Sequence, residues 1–167
     1  GDKGTGTINA EGLFINGTPA LPGARLQRDS TSNITSTTVL AADSKLTFAM
    51  VANTTYAMRA KIVARITSSG GIKCGITGPA SPTLIVGSTI GPQLWGSSNE
   101  ALDNTIVGYG TVLSFTPGSS ATAVITLDLI VQNGANAGTF ALQFAQDTSS
   151  ATPTPVYVGS YLDYWTI

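Results

Sequence analysis

The chain has 167 residues and a mass of 17.0 kDa, the size of one ordinary domain with room for a short extra arm. Hydrophobic residues make up 42% and charged residues only 10%, so Thr, Ser, Asn, Gln and Gly must cover a surface that charges cover in an average soluble protein. A net charge of −1, no histidine and a single cysteine, Cys74, exclude steering to nucleic acid or anionic lipid, the commonest general base and metal ligand, and any internal disulfide framework.

Gly1 to Gly6 reads GDKGTG, which suits either the end of a collagen-like Gly-X-Y stem or a glycine-rich leader. Leu13-Phe14-Ile15 is a short apolar run closed by the turn pair Asn16-Gly17. Pro19 and Pro22 then keep the chain extended. Residues 1–30 read as an N-terminal arm or stem end, and residues 31–167 as one β domain. Ile34 to Leu40 is rich in β-branched residues, and Asp43-Ser44-Lys45 supplies a turn before the alternating Leu46, Phe48 and Met50.

The strongest pattern runs from Asn53 to Ile66. Tyr56, Met58, Ala60, Ile62, Ala64 and Ile66 share one face, and Arg59, Lys61 and Arg65 share the other. Only a pleated strand keeps those two sets apart. Ser68 to Gly71 gives a hairpin signal, followed by strands over Ile72 to Thr77 and Thr83 to Val86. Residues 87–104, with Trp95, Glu100 and Asp103, show no period and read as a long irregular connection, either a functional loop or a disordered one. Strands resume at Ile106 to Tyr109 and Thr111 to Phe115. Two further alternating sets follow, Ile125, Leu127, Leu129, Val131 and then Phe140, Leu142, Phe144. Val156 to Val158 and Tyr161 to Ile167 complete the chain. About eight to ten strands without a helical stretch predict an all-β antiparallel sandwich, jelly-roll-like.

The residues offer little to an enzyme. Without histidine, Ser-His-Asp and Cys-His arrangements and the usual zinc sites are ruled out. Glu100 and Asp103 are the one close acidic pair, and they read as solvated loop charges ahead of a calcium site or a glycosidase pair. No cofactor is expected. No apolar run reaches the 18 or so residues of a membrane span, and the opening residues lack a secretory-signal pattern. Trp95, Glu100, Asp103, Tyr109 and the basic stripe Arg59, Lys61 and Arg65 are the candidate binding residues, the rings because flat faces stack on sugars and the cations because they meet anionic glycans. The stripe equally suits cross-strand pairing with an acid such as Asp128. Phe14, Tyr161, Tyr164 and Trp165 are the candidate oligomer-interface residues.

Three phrases carry a family resemblance: Val51-Ala52-Asn53-Thr54-Thr55-Tyr56; Ile72-Lys73-Cys74-Gly75-Ile76-Thr77-Gly78-Pro79; and Leu142 to Ser149 (LQFAQDTS) followed by Val158-Gly159-Ser160-Tyr161-Leu162. From about Thr37 to Ile167 the chain resembles β-rich domains of tailed-bacteriophage structural proteins, found at tail-fibre tips, in head fibres and in capsid decoration. The resemblance implies a homotrimeric jelly-roll domain on the virion surface, held to other virion proteins through its N-terminal arm. It carries no catalytic residues to transfer. A fibre tip binding a host-surface glycan is the leading expectation. A decoration protein or head fibre, docked through an arm ending in Arg25 to Asp29 (RLQRD), is the closest alternative. A depolymerase using Glu100 and Asp103, and a bacterial adhesin module, stand behind both.

Overall fold

A computed structural model describes residues 23–91, 103–115 and 119–167 of the chain, together with the backbone of the short strands β1 (Phe14–Ile15) and β2 (Thr18–Pro19). The remaining strands are β3 (Gly23–Gln27), β4 (Ser32–Ile34), β5 (Ala41–Met50), β6 (Thr55–Ile66), β7 (Ile72–Thr77), β8 (Leu84–Ile90), β9 (Asp103–Ile106), β10 (Leu113–Phe115), β11 (Ala121–Gln132), β12 (Gly138–Ala145), β13 (Thr154–Val156) and β14 (Tyr161–Thr166). All pairings among them are antiparallel.

The eight strands β5 to β12 pair first with last. β5 joins β12, β6 joins β11, β7 joins β10, and β8 joins β9. That is a long antiparallel ribbon. It is then wrapped so that β12 also meets β7 and β11 also meets β8. The result is one sheet in the order β10-β7-β12-β5 facing another that contains β6-β11-β8-β9. Two Greek keys in two sheets make a jelly roll. β14 and then β3 extend the second sheet beyond β6, giving the order β3-β14-β6-β11-β8-β9.

The alternation read in the sequence is the burial seen in the sandwich. Tyr56, Met58, Ala60, Ile62, Ala64 and Ile66 of β6 face inwards, as do Ile125, Leu127, Leu129 and Val131 of β11. Leu46, Phe48 and Met50 meet them from β5, and Phe140, Leu142 and Phe144 from β12. Each large side chain so enclosed is worth about 1.5–3 kcal/mol of apolar burial. Cys74 lies in this core, 1% exposed, and burial pushes its thiol up to about 12. It acts as a small apolar residue.

Several local expectations are corrected. Gly23–Gln27, read as part of an arm, pairs with β14 as the edge strand of the larger sheet. Ile34 to Leu40 is not a strand beyond Ile34. The rest is a mostly exposed connection, bonded to the β12–β13 segment by Ser36 N–H to the Ser150 carbonyl and Gln146 N–H to the Thr37 carbonyl, and its Leu40 fills the space that Gly75, lacking a side chain, leaves open. Ser68 to Gly71 is not a hairpin, because β6 and β7 belong to different sheets; the turn carries the chain between them, with Gly71 at φ 59°. Asp43 to Lys45 does interrupt regular pairing, since the β5–β12 register shifts between Ala141 and Gln143, but it does so as a bulge inside β5. Part of the irregular loop, through Ile90, is regular β8, and its far end from Asp103 is β9.

Candidate functional site

Side chains of one parity on β3, β14, β6, β11 and β8 point away from the core, and the register places them in straight rows. One row reads Arg25, Asp163, Arg59, Asp128, Ser88. Its charges alternate in sign and are bonded in pairs. Arg25 donates from Nε and Nη2 to the two Asp163 oxygens at 2.6 and 2.7 Å, and Arg59 Nε donates to Asp128 Oδ1 at 2.7 Å. The hydrogen bond from Arg25, helped by the charges of Arg25 and Arg59, holds the Asp163 carboxyl below the usual range. The basic stripe is therefore partly neutralised: Arg59 is paired as cross-strand chemistry suggests, while Lys61 and Arg65 lie opposite Thr126 and Thr122.

The next row towards the end of β14 reads Gly23, Trp165, Ala57, Ile130, Val86. Gly23 brings no side chain against the Trp165 ring, and Val86 and Ile130 are 43% and 40% exposed. Between these two rows runs an open, mainly apolar groove of about 470 Å³, lined by Ala57, Arg59, Val86, Asp128, Ile130 and Trp165 among others. Small-molecule sites are of this size, apolar with a few placed polar groups. The row on the opposite side of the charges holds Tyr161, Lys61, Thr126 and Ile90. The Arg25 guanidinium lies 4.1 Å from the centre of the Tyr161 ring and covers it.

A second cavity, of about 320 Å³, opens where β4 and β13 meet the β5 bulge. Arg28 and Asp43 line it as a buried ion pair, 5% and 8% exposed. Asp43 also accepts the backbone N–H groups of Lys45 and Leu46, and Arg28 Nε donates to the Ser30 carbonyl. With Asp29 paired to Lys45 at 2.9 Å and Arg25 to Asp163, all three charges of Arg25 to Asp29 are engaged inside the chain. Arg28 is enclosed by its pair, while the side chains of Arg25 and Asp29 remain 55% and 66% exposed.

Of the residues singled out in the sequence, the outer face gathers Arg59, Lys61, Arg65, Tyr161 and Trp165. Tyr164 does not join them. Its ring stacks on Phe48 with centroids 3.7 Å apart and planes at 8°, inside the sandwich. Tyr109 also turns inwards: it packs on the core, donates to Met50 Sδ, and burial pushes its phenol up to about 12. Trp95 and Glu100 lie outside the described residues. For Phe14 and Asp103 the description stops at the backbone of β1 and β9. Among the described residues no three acid or cysteine side chains converge on one point. Asp128, Ala57, Ile130 and Val86, which shape the groove, carry no local signal beyond alternation. The pairing of β11 with both β6 and β8 unites them.

No family model matches this chain, and no curated protein matches it. Among solved structures it is similar, at 11% identity and a TM-score of 0.20, to the infectious bursal disease virus VP2 subviral particle, over 87% of this chain and 41% of that one. It is likewise similar to the infectious bursal disease virus Gt strain structure, at 12% identity and a TM-score of 0.20, over 96% of this chain and 46% of that one. The chain thus spans less than half the length of the solved chains it matches. The jelly roll stands on its own strand pairing, without these likenesses.

Proposed function

We propose that the chain is a non-enzymatic virion surface protein, a trimeric fibre tip or knob of a tailed bacteriophage that binds a glycan of the host surface. The observation that carries this reading is the outer face of the enlarged sheet. β14 and β3 widen it, and it holds an open aromatic and aliphatic groove beside a row of polar groups. Two-sheet jelly rolls serve viral capsids and lectins, so the step from architecture to role is one of fold analogy. The groove supplies the site-level support. The sequence phrases that resemble phage structural proteins point the same way.

In the competing reading, a decoration protein or head fibre, an N-terminal arm docks on the shell. Within Arg25 to Asp29, Arg28 is committed to the buried pair with Asp43, which leaves the exposed Arg25 and Asp29 as the charges that such an arm would present. Competition for adsorption tests the leading reading. The purified chain, added in excess, should slow adsorption of intact particles to host cells. Unchanged adsorption at saturating protein would remove receptor binding from the account.

A further inference from the structure

We propose that the groove beside Trp165 binds a neutral saccharide, one pyranose ring lying on the indole while two adjacent hydroxyls bridge Arg59 and Asp128. This deepens the receptor-binding reading and rests on it.

Two aromatic side chains of β14 share the outer face, and they differ in availability. Tyr161 is capped by the Arg25 guanidinium. Trp165 is half-buried, lines the groove and has no ring or cation over it among the described residues, and Gly23 opposite it adds no side chain. Pyranose rings carry apolar C–H faces that stack on such a ring, and the exposed aliphatic surfaces of Ile130 and Val86 continue the platform.

The polar edge is equally suited. Arg59 uses only Nε on Asp128, and Asp128 receives it on Oδ1. The two terminal amino groups of Arg59 and the second oxygen of Asp128 have no hydrogen-bond partner among the described residues. The side chains are 56% and 46% exposed, so both are free to turn towards a ligand. One sugar hydroxyl can accept from Arg59 Nη while its neighbour donates to Asp128 Oδ2. A planar cation beside a planar anion matches vicinal hydroxyls in both donor sense and spacing.

Charge decides between occupants. Two arginines and two aspartates cancel along the row, and Lys61 and Arg65 lie on the side of that row away from the groove, so the groove's own lining carries no net charge to favour an anionic glycan. A second copy of the chain pressed on this face would bury all four charges, whereas the cores of protein interfaces are depleted of charge. A neutral sugar leaves the row hydrated and uses its spare bonds.

The test is a titration of the 167-residue chain with methyl α-D-glucopyranoside, methyl α-D-mannopyranoside, methyl β-D-galactopyranoside and N-acetyl-D-glucosamine. The Trp165 indole N–H and Arg59 amide would be followed by NMR. At least one of the four should saturate with a Kd on the order of 1 mM, as befits a ligand of this size, and should move both signals. Trp165→Ala should weaken it at least tenfold. Asp128→Asn, which keeps the shape and removes the charge, should weaken it severalfold and guards against a Trp165→Ala chain that fails to fold. Sialyllactose should bind no better than the neutral sugars.

Silence of the Trp165 and Arg59 signals towards all four sugars would overturn the site. So would undiminished binding by a folded Asp128→Asn chain, or shifts of the Trp165 signal on dilution, which would mark a second copy as the occupant. The adsorption assay keeps the two levels apart. Slowed adsorption without sugar binding removes this site and leaves the receptor reading. Sugar binding without slowed adsorption does the reverse.

Discussion

Arg28 and Asp43 are joined across 15 positions in sequence at the mouth of the smaller cavity, both nearly closed to water. Removing one partner of such a pair leaves a buried charge uncompensated, at about 3–5 kcal/mol. Asp43→Ala should therefore lower the unfolding free energy by about that much in urea, and Arg28→Met added to it should restore most of the loss. A different sign of electrostatics governs Asp163, whose folded pKa is depressed, chiefly by the Arg25 hydrogen bond. Its contribution is present above the unfolded value of about 3.9 and is lost as pH falls through the folded one. Melting temperature should drop on acidification below about pH 4, and Arg25→Gln should shrink that drop. Circular dichroism melts across the acid range would check it. Single residues were unevenly legible. The Arg59–Asp128 pair follows from alternation on two strands, whereas nothing local marks Arg28 and Asp43 as partners. Nor does any pattern show that Thr67, Gln146 and Thr154 are buried, hydrogen-bonded side chains in the region of the β6–β7 turn.

β6 and β11 pair along twelve residues each, and their period was plain because both bury one face and expose the other. β3 was hidden for the opposite reason. Gly-Ala-Arg-Leu-Gln has little apolar alternation and follows two prolines; its strand state comes from the free edge of β14. A chain begun at Ser30 loses β3 and Arg28, and should be about 3–5 kcal/mol less stable than one begun at Gly23, the unpaired Asp43 supplying most of the difference. Denaturant curves for the two truncations would show it, and equal midpoints would mean that β3 is dispensable. β-branched residues misled at Thr35 to Leu40, where bonds to Gln146 and Ser150 outside any ladder and the anchoring of Leu40 at Gly75 outweigh strand propensity. The groove belongs to this scale as well. Its lining comes from β14, β6, β11 and β8, which are distant in sequence, and only the wrapped ribbon brings them side by side.

For the whole molecule, the class of fold was legible from strand count, turn chemistry and sparse charge, while the wrapping order and the extension by β14 and β3 needed the structure. The proposed trimer predicts a mass near 51 kDa by light scattering, three chains of 17.0 kDa. A stable monomer across concentrations would contradict a fibre knob. The virion-surface assignment itself is tested most directly by immunogold labelling of intact particles with an antibody raised to residues 31–167. The account predicts gold at the tail tip. Gold spread over the head would instead make the chain a decoration protein or head fibre, and particles left unlabelled would contradict a place on the virion surface.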